Sequence, residues 1–232
     1  MGNLLNPFIS FVSGLVTFPI TFAEADMENK WISTDVEMAV DTINDLLDLI
    51  FKRELGANAR AIIFDLQDAL GAGVNASDTL WGLRFKLKLL SKNGNIELWG
   101  GLSDSDQDVG QLENQDWIGW EWDNVTLNTY YAIDSDGAAI PNTGADSQAS
   151  TLAVNDIVYI EILRTSATAY TVEIFDNADF STGSRGKITA TVASTTDTLR
   201  FIKFLARDSA PDSAEATTEV DDVNFVNNTN TF

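Results

Sequence analysis

Three kinds of residue in this chain could do chemistry. The first are carboxylates at alternate positions. Glu24, Asp26 and Glu28 follow the pattern E-x-D-x-E. Alternate residues of an extended chain share a face, and two carboxylates about 5 Å apart suit retaining glycoside hydrolysis. Asp104, Asp106 and Asp108 repeat that spacing, and Asp134 and Asp136 start it again before Gly137. Oxygen ligands of this kind suit a hard cation, and calcium is the ion they would take. The first stretch is not an EF-hand, because Gly110 falls at its seventh position rather than the sixth and Gln115 stands at the twelfth. For both acidic stretches the competing reading is a solvated turn, since Asp bonds its own backbone there.

The second kind are aromatic. Trp99, Trp117, Trp120, Trp122, Tyr130 and Tyr131 lie in a span, 93 to 163, that holds many carboxylates and no Lys or Arg. Aromatic rings stack on the apolar faces of sugar rings while nearby carboxylates and amides take the hydroxyls. On a strand, Trp120 and Trp122 share a face with Ile118, and Trp117 points the other way with Glu121. One set is expected in the core and the other is a candidate sugar platform. The competing reading puts them all in core or interface. The third kind is a basic stripe, Arg84, Lys86 and Lys88, for which cross-strand pairing with acids such as Glu97 is the expectation.

What is missing narrows the chemistry further. The chain has no His and no Cys. Imidazole bases, the Ser-His-Asp triad, thiolate nucleophiles and disulfides are therefore excluded. Lys plus Arg number 14 against 35 Asp plus Glu, a formal charge of -21. A field of that sign repels nucleic acid phosphates and anionic lipid, so neither is an expected partner.

The elements that must position these groups read as strands. Trp81, Leu83, Phe85, Leu87 and Leu89 alternate with Gly82, Arg84, Lys86 and Lys88, the period of a strand with one apolar face. Asn93-Gly94 is a strong hairpin signal, and predicts pairing of 81–90 with 95–102. Further strands are expected at 17–22, 35–40, 46–51, 60–66, 156–163, 169–175, 187–192, 199–205 and 219–226, with 134–153 as a long Gly, Ala and Ser loop. Short strands with turn signals between them predict an all-β, two-sheet antiparallel sandwich. No linker divides residues 17–232, which read as one domain.

Residues 1–23 carry no charged side chain, and Pro7 and Pro19 interrupt them. The stretch is too broken for a membrane span and lacks the leading basic residues of a secretory signal. Residues 1–16 are therefore expected to form an apolar arm. It would dock on its own domain or on a neighbouring subunit, and with it comes the expectation of a homo-oligomer. A cleaved signal is the competing reading. Asn75, Asn124 and Asn227 each open an N-x-[ST] sequence, which matters in a secreted context.

Three stretches together resemble the concanavalin A-like lectin/glucanase superfamily in its laminin-G-like branch. They are ARAIIFDLQDAL followed by TLWGLRFKLKL, then VYIEILRTSATAYTVEIFDNADF, then EVDDVNFVNN. The resemblance covers roughly residues 17 to 228. It implies a jelly roll, glycan binding as the commonest role, and often a structural calcium. Glu24, Asp26 and Glu28 have the spacing that family-16 glycoside hydrolases of this superfamily place on a central strand. Here the flanking Ala25 and Met27 are a poor match for the apolar flanks of that strand. The expected function is non-catalytic recognition of a glycan or partner surface, outside the cell or on a virion. A structural subunit of a capsid, tail or filament is the alternative, and a glycoside hydrolase the third reading.

Overall fold

The structure is a computed structural model that describes residues 16–20, 31–34, 37–41, 46–52, 60–67, 71–94, 96–106, 115–123, 129–136, 147–149, 151–192, 198–207 and 215–232. Among them fifteen strands form: β1 (Val16–Ile20), β2 (Trp31–Thr34), β3 (Glu37–Asp41), β4 (Leu46–Lys52), β5 (Arg60–Asp65), β6 (Trp81–Asn93), β7 (Glu97–Ser103), β8 (Asp116–Asp123), β9 (Thr129–Asp136), β10 (Ser147–Ala149), β11 (Ile157–Ser166), β12 (Ala169–Phe175), β13 (Ser184–Thr191), β14 (Phe201–Arg207) and β15 (Glu215–Asn227). They make two antiparallel sheets. The first has 8 strands, in the order β13-β12-β11-β6-β15-β4-β3, with β1 paired to β15 beside that path. The second has 7, in the order β10-β9-β8-β7-β14-β5-β2.

The first sheet is arranged around β6, which pairs with β11 on one side and β15 on the other. Its five alternating apolar residues, Trp81 to Leu89, are all buried between the sheets. Phe85 crosses the gap between them. Its ring meets Phe204 of the second sheet edge-on at 4.9 Å and Trp120 at 6.1 Å. Gly100 leaves room for it, since a Cβ there would lie 3.0 Å from the Phe85 ring.

The outward face of β6 carries the basic stripe. Its partners are acids of the same sheet. Arg84 Nε donates to Glu161 Oε2 at 2.6 Å, Lys86 Nζ to Asp221 at 2.9 Å and Lys88 Nζ to Glu219 at 2.9 Å. Glu97 is not among them, because it stands in the other sheet. The Arg84 guanidinium lies against two rings, 4.4 Å from the centre of Phe180 and 4.1 Å from that of Phe232. Two rings this close displace water from part of the cation and strengthen its attraction to Glu161.

Asn93-Gly94 reverses the chain, and Gly94 takes a φ of 76°, a conformation costly for a side-chain-bearing residue. The strands it joins do not pair with each other. β7 lies in the second sheet, between β8 and β14. The predicted hairpin is thus a crossing between sheets. Leu98 and Leu102 of β7 bury against the apolar face of β6 instead of extending its hydrogen-bond ladder.

β15 is the long closing strand. Its first half pairs with β4 through Glu215–Val220, and its second half pairs with β1 through Val223–Asn227. The acidic pair between the halves forms a bulge: the register on β6 shifts between Asp221 and Asn224, and Asp222 takes a φ of 52°. A bulge bends a strand and sharpens its twist, which suits a strand that changes partner midway. Val16–Ile20 of the sequence's apolar start is therefore an added strand within its own chain. Residues 1–15 lie outside the described residues.

Candidate functional site

Both faces of the second sheet carry buried aromatic residues. Ile118, Trp120, Trp122, Tyr130 and Ala132 face the first sheet and belong to the main core. The opposite face holds Trp99, Trp117, Ile133, Phe201, Leu205 and Ile63, with Tyr131 packed against them. The split expected from alternation is the one found, with Trp120 and Trp122 beside Ile118 and Trp117 beside Glu121. The platform is not on display, however. Trp99, Trp117, Trp120, Trp122 and Tyr130 are all buried, so their ring faces are not free to stack on a sugar. Of the six predicted residues, Tyr131 alone is half-exposed.

The outward face is built in rows across β14, β7, β8 and β9. One row runs Phe201, Ser103, Trp117, Ser135, the next Lys203, Gly101, Gly119, Ile133, and the third Leu205, Trp99, Glu121, Tyr131. The middle row has two glycines side by side. The Trp117 indole occupies room that a Gly119 side chain would need, its Nε1 coming within 2.7 Å of where a Cβ would sit, while the backbone of Ile118 and Gly119 fills the room beside Gly101. Trp99 and Trp117 meet with ring centres 6.3 Å apart.

Polar groups are buried among these rings. Lys203 is fully buried and its Nζ donates to Gln115 Oε1 at 2.8 Å. Ser103 Oγ donates to the same oxygen at 3.1 Å. Glu121 and Ser135 are buried on the same face. Glu121 shares the Trp117 face as alternation predicts, but Lys203, Gln115 and Ser103 are not among the sequence candidates, although a charge inside the apolar run FIKFLA is a signal that could find Lys203.

Around Tyr131 the face opens to solvent and turns acidic. Glu97 and Asp123, both half-buried, are directly opposite each other in register, and Asp123 is opposite Thr129. Burial raises the Tyr131 hydroxyl above its ordinary pKa, and the charges of Asp123, Glu121 and Glu97 push the same way. The ring therefore sits among three carboxylates. A ring for stacking, beside acceptors for hydroxyl protons, is the chemistry of a sugar subsite.

The predicted metal ligands divide differently. Asp104 accepts the backbone N–H of Asp116 at 2.9 Å. Burial pushes its carboxyl up, against the pull of that hydrogen bond and of the Lys203 charge. Asp106 is exposed, and Asp108 lies outside the described residues. Asp134 and Asp136 are not in a turn but in β9, opposite Ile118 and Asp116. Pairing with β8 extends the strand through them. Asp104 and Asp136 thus flank Asp116 at one end of the ladder. Among the described residues no three carboxylates converge as a metal site. Glu24, Asp26 and Glu28 lie outside the described residues.

Of the three glycosylation sequences, Asn227 is buried and its amide is fully engaged. It donates to Asn75 O at 3.0 Å and accepts from the N–H groups of Ser77 and Asn228. That amide pins the loop before β6 to the end of β15 and is not available to a sugar. The Asn75 side-chain oxygen accepts from Gln67, and Asn124 lies outside the described residues.

No protein-family model matches this chain, and no curated protein matches it in sequence. Solved structures do. A protein of unknown function, SO2946 from Shewanella oneidensis MR-1, superposes with a TM-score of 0.64 at 11% identity, over 94% of this chain and 88% of that one. Arcelin-5, a lectin-like defence protein from Phaseolus vulgaris, gives 0.58 at 11% identity, over 91% and 97%. The exoplasmic/lumenal domain of VIP36, in a form bound to Ca2+ and Man3GlcNAc, gives 0.53 at 9% identity, over 87% of each chain. A family 7 alginate lyase in complex with product is also similar, at a TM-score of 0.51 and 9% identity, over 81% and 82%. At such identities the likeness shows the fold. It is a jelly roll of two antiparallel sheets, shared with these lectin-like proteins and with the lyase. Among the described residues no helix is long and apolar enough to cross a membrane.

Proposed function

We propose that this protein is a non-catalytic, extracellular carbohydrate-recognition protein whose glycan meets the outward face of the second sheet at Tyr131. The half-exposed Tyr131 ring, set among Glu97, Glu121 and Asp123, carries this reading. Lectin-like neighbours of the same fold support it. A net charge of -21 and acceptors around the ring favour neutral glycans over acidic ones. A glycan array probed with the full chain is the test, followed by calorimetry on the best hit. Tyr131→Ala should weaken binding about tenfold or more through the lost stacking contact. Lys187→Ala, on the other sheet, should leave it unchanged. Failure of the array to show any neutral glycan sinks the reading.

Calcium belongs to this proposal as a stabiliser rather than a reactant. The acidic stretches with Asp104 and Asp106 and with Asp134 and Asp136 are where it would act, and Asp108 of the first lies outside the described residues. VIP36, whose solved forms include one with Ca2+ and one free of metal, supports considering it. An ion bound by the native state alone raises its melting temperature by mass action. Thermal melts in millimolar calcium and in chelator are expected to differ, with calcium higher. Equal melts would make glycan recognition metal-independent.

A further inference from the structure

We propose that a single water molecule is built into the core between the two sheets, held by Thr218 and Trp120. The core around β6 is apolar, yet β15 presents Ala216, Thr218 and Val220 to it at alternate positions, all buried. A hydroxyl therefore stands where the pattern asks for an aliphatic side chain. Trp120 of β8 faces it from the other sheet. Both residues line one cavity of about 10 Å³, together with Phe85, Leu87, Leu98 and Phe204 among others. That is the room one water needs.

Thr218 Oγ1 and Trp120 Nε1 are both buried, and neither has a hydrogen-bond partner among the described residues. A buried polar group left unpaired is costly, and internal waters are found where such groups share a cavity. The Trp120 Nε1–H donates to the water oxygen, and the water donates to Thr218 Oγ1. One molecule satisfies a group from each sheet, and so ties the sheets together across the gap that Phe85 spans.

The sign of one substitution separates this from a dry cavity. Thr218→Val keeps the shape and removes the hydroxyl. If the cavity is dry, the variant loses an unpaired group, fills space, and melts higher. If the water is there, the variant expels it and strands the Trp120 N–H. The melting temperature should then fall by about 2–4 °C. The wild-type protein should also show a nuclear Overhauser contact between the Trp120 indole N–H and a long-lived water, and Thr218→Val should lose it. An unchanged or higher melting temperature overturns the proposal, and so does a wild-type indole without the water contact. The second measurement decides the matter even if the variant does not fold.

Discussion

Phe85→Ala should cost about 3–5 kcal/mol, the range for removing a buried phenylalanine and leaving a cavity. Phe85 is 1% exposed and is wedged between Phe204 and Trp120 of the opposite sheet. Neither ring can close in easily, because Trp120 also packs edge-on against Tyr130 and both stand on strands held in a ladder on two sides. Urea unfolding measures the loss, with an unchanged slope showing that the same surface is exposed. Lys187→Ala, on the exposed side of β13, should stay within about 0.5 kcal/mol. A Phe85 loss under about 1 kcal/mol would mean that β6 does not face a second sheet, and the sandwich with it would be wrong.

That prediction rests on a pattern visible in eleven letters, LWGLRFKLKLL, because period-two alternation reports directly which residues a sheet buries. Alternation is silent on which strand comes next to which. Asn93-Gly94 shows that the chain turns, yet the same turn can join two strands of a ladder or two sheets of a sandwich. Both leave the apolar residues of β6 and β7 in contact, so local patterning does not separate them. The partners of Arg84, Lys86 and Lys88 were misplaced for the same reason. Opposite charge on a neighbouring strand is a sound expectation, but the neighbours are β11 and β15, and the partners of Arg84, Lys88 and Lys86 lie 77, 131 and 135 residues along the chain.

The candidate site was legible by face and not by exposure. Alternation alone separates Trp117 and Glu121 from Trp120 and Trp122. It then assumes that one face of each sheet meets solvent, and the second sheet breaks that assumption with buried residues on both faces. The acidic stretch at Asp134 and Asp136 reads as a turn on composition, since Asp bonds its own backbone. A full strand of pairing with β8 satisfies those backbone groups better. Lys203, Gln115 and Ser103 escaped notice because they come from three separate elements and meet only after the sheet has formed.

Gly119→Ala is the second large effect expected, and it tests how the outward face is made. Gly119 and Gly101 are opposite each other on β8 and β7. A Cβ on Gly119 would lie 2.4 Å from the Gly100 carbonyl oxygen and 2.7 Å from Trp117 Nε1. The first neighbour is backbone and is held by the ladder, so β7 and β8 must separate. The second is the indole that fills the glycine trough, so Trp117 must leave Trp99 as well. Overpacking of a well-filled site typically costs about 1–3 kcal/mol, and here strand pairing and ring packing are lost together, so the upper end is expected. Gly100→Ala gives the comparison on the adjacent residue. The nearest neighbours of its added methyl would be the rings of Phe85 and Phe204, at 3.0 Å and beyond, and rings can tilt where a carbonyl cannot. Unfolding midpoints should therefore rank wild type, then Gly100→Ala, then Gly119→Ala, with Trp fluorescence of the folded Gly119→Ala protein changed by the displaced indole. If Gly119→Ala matches wild type, β7 and the Trp117 indole do not close over Gly119 as this packing requires.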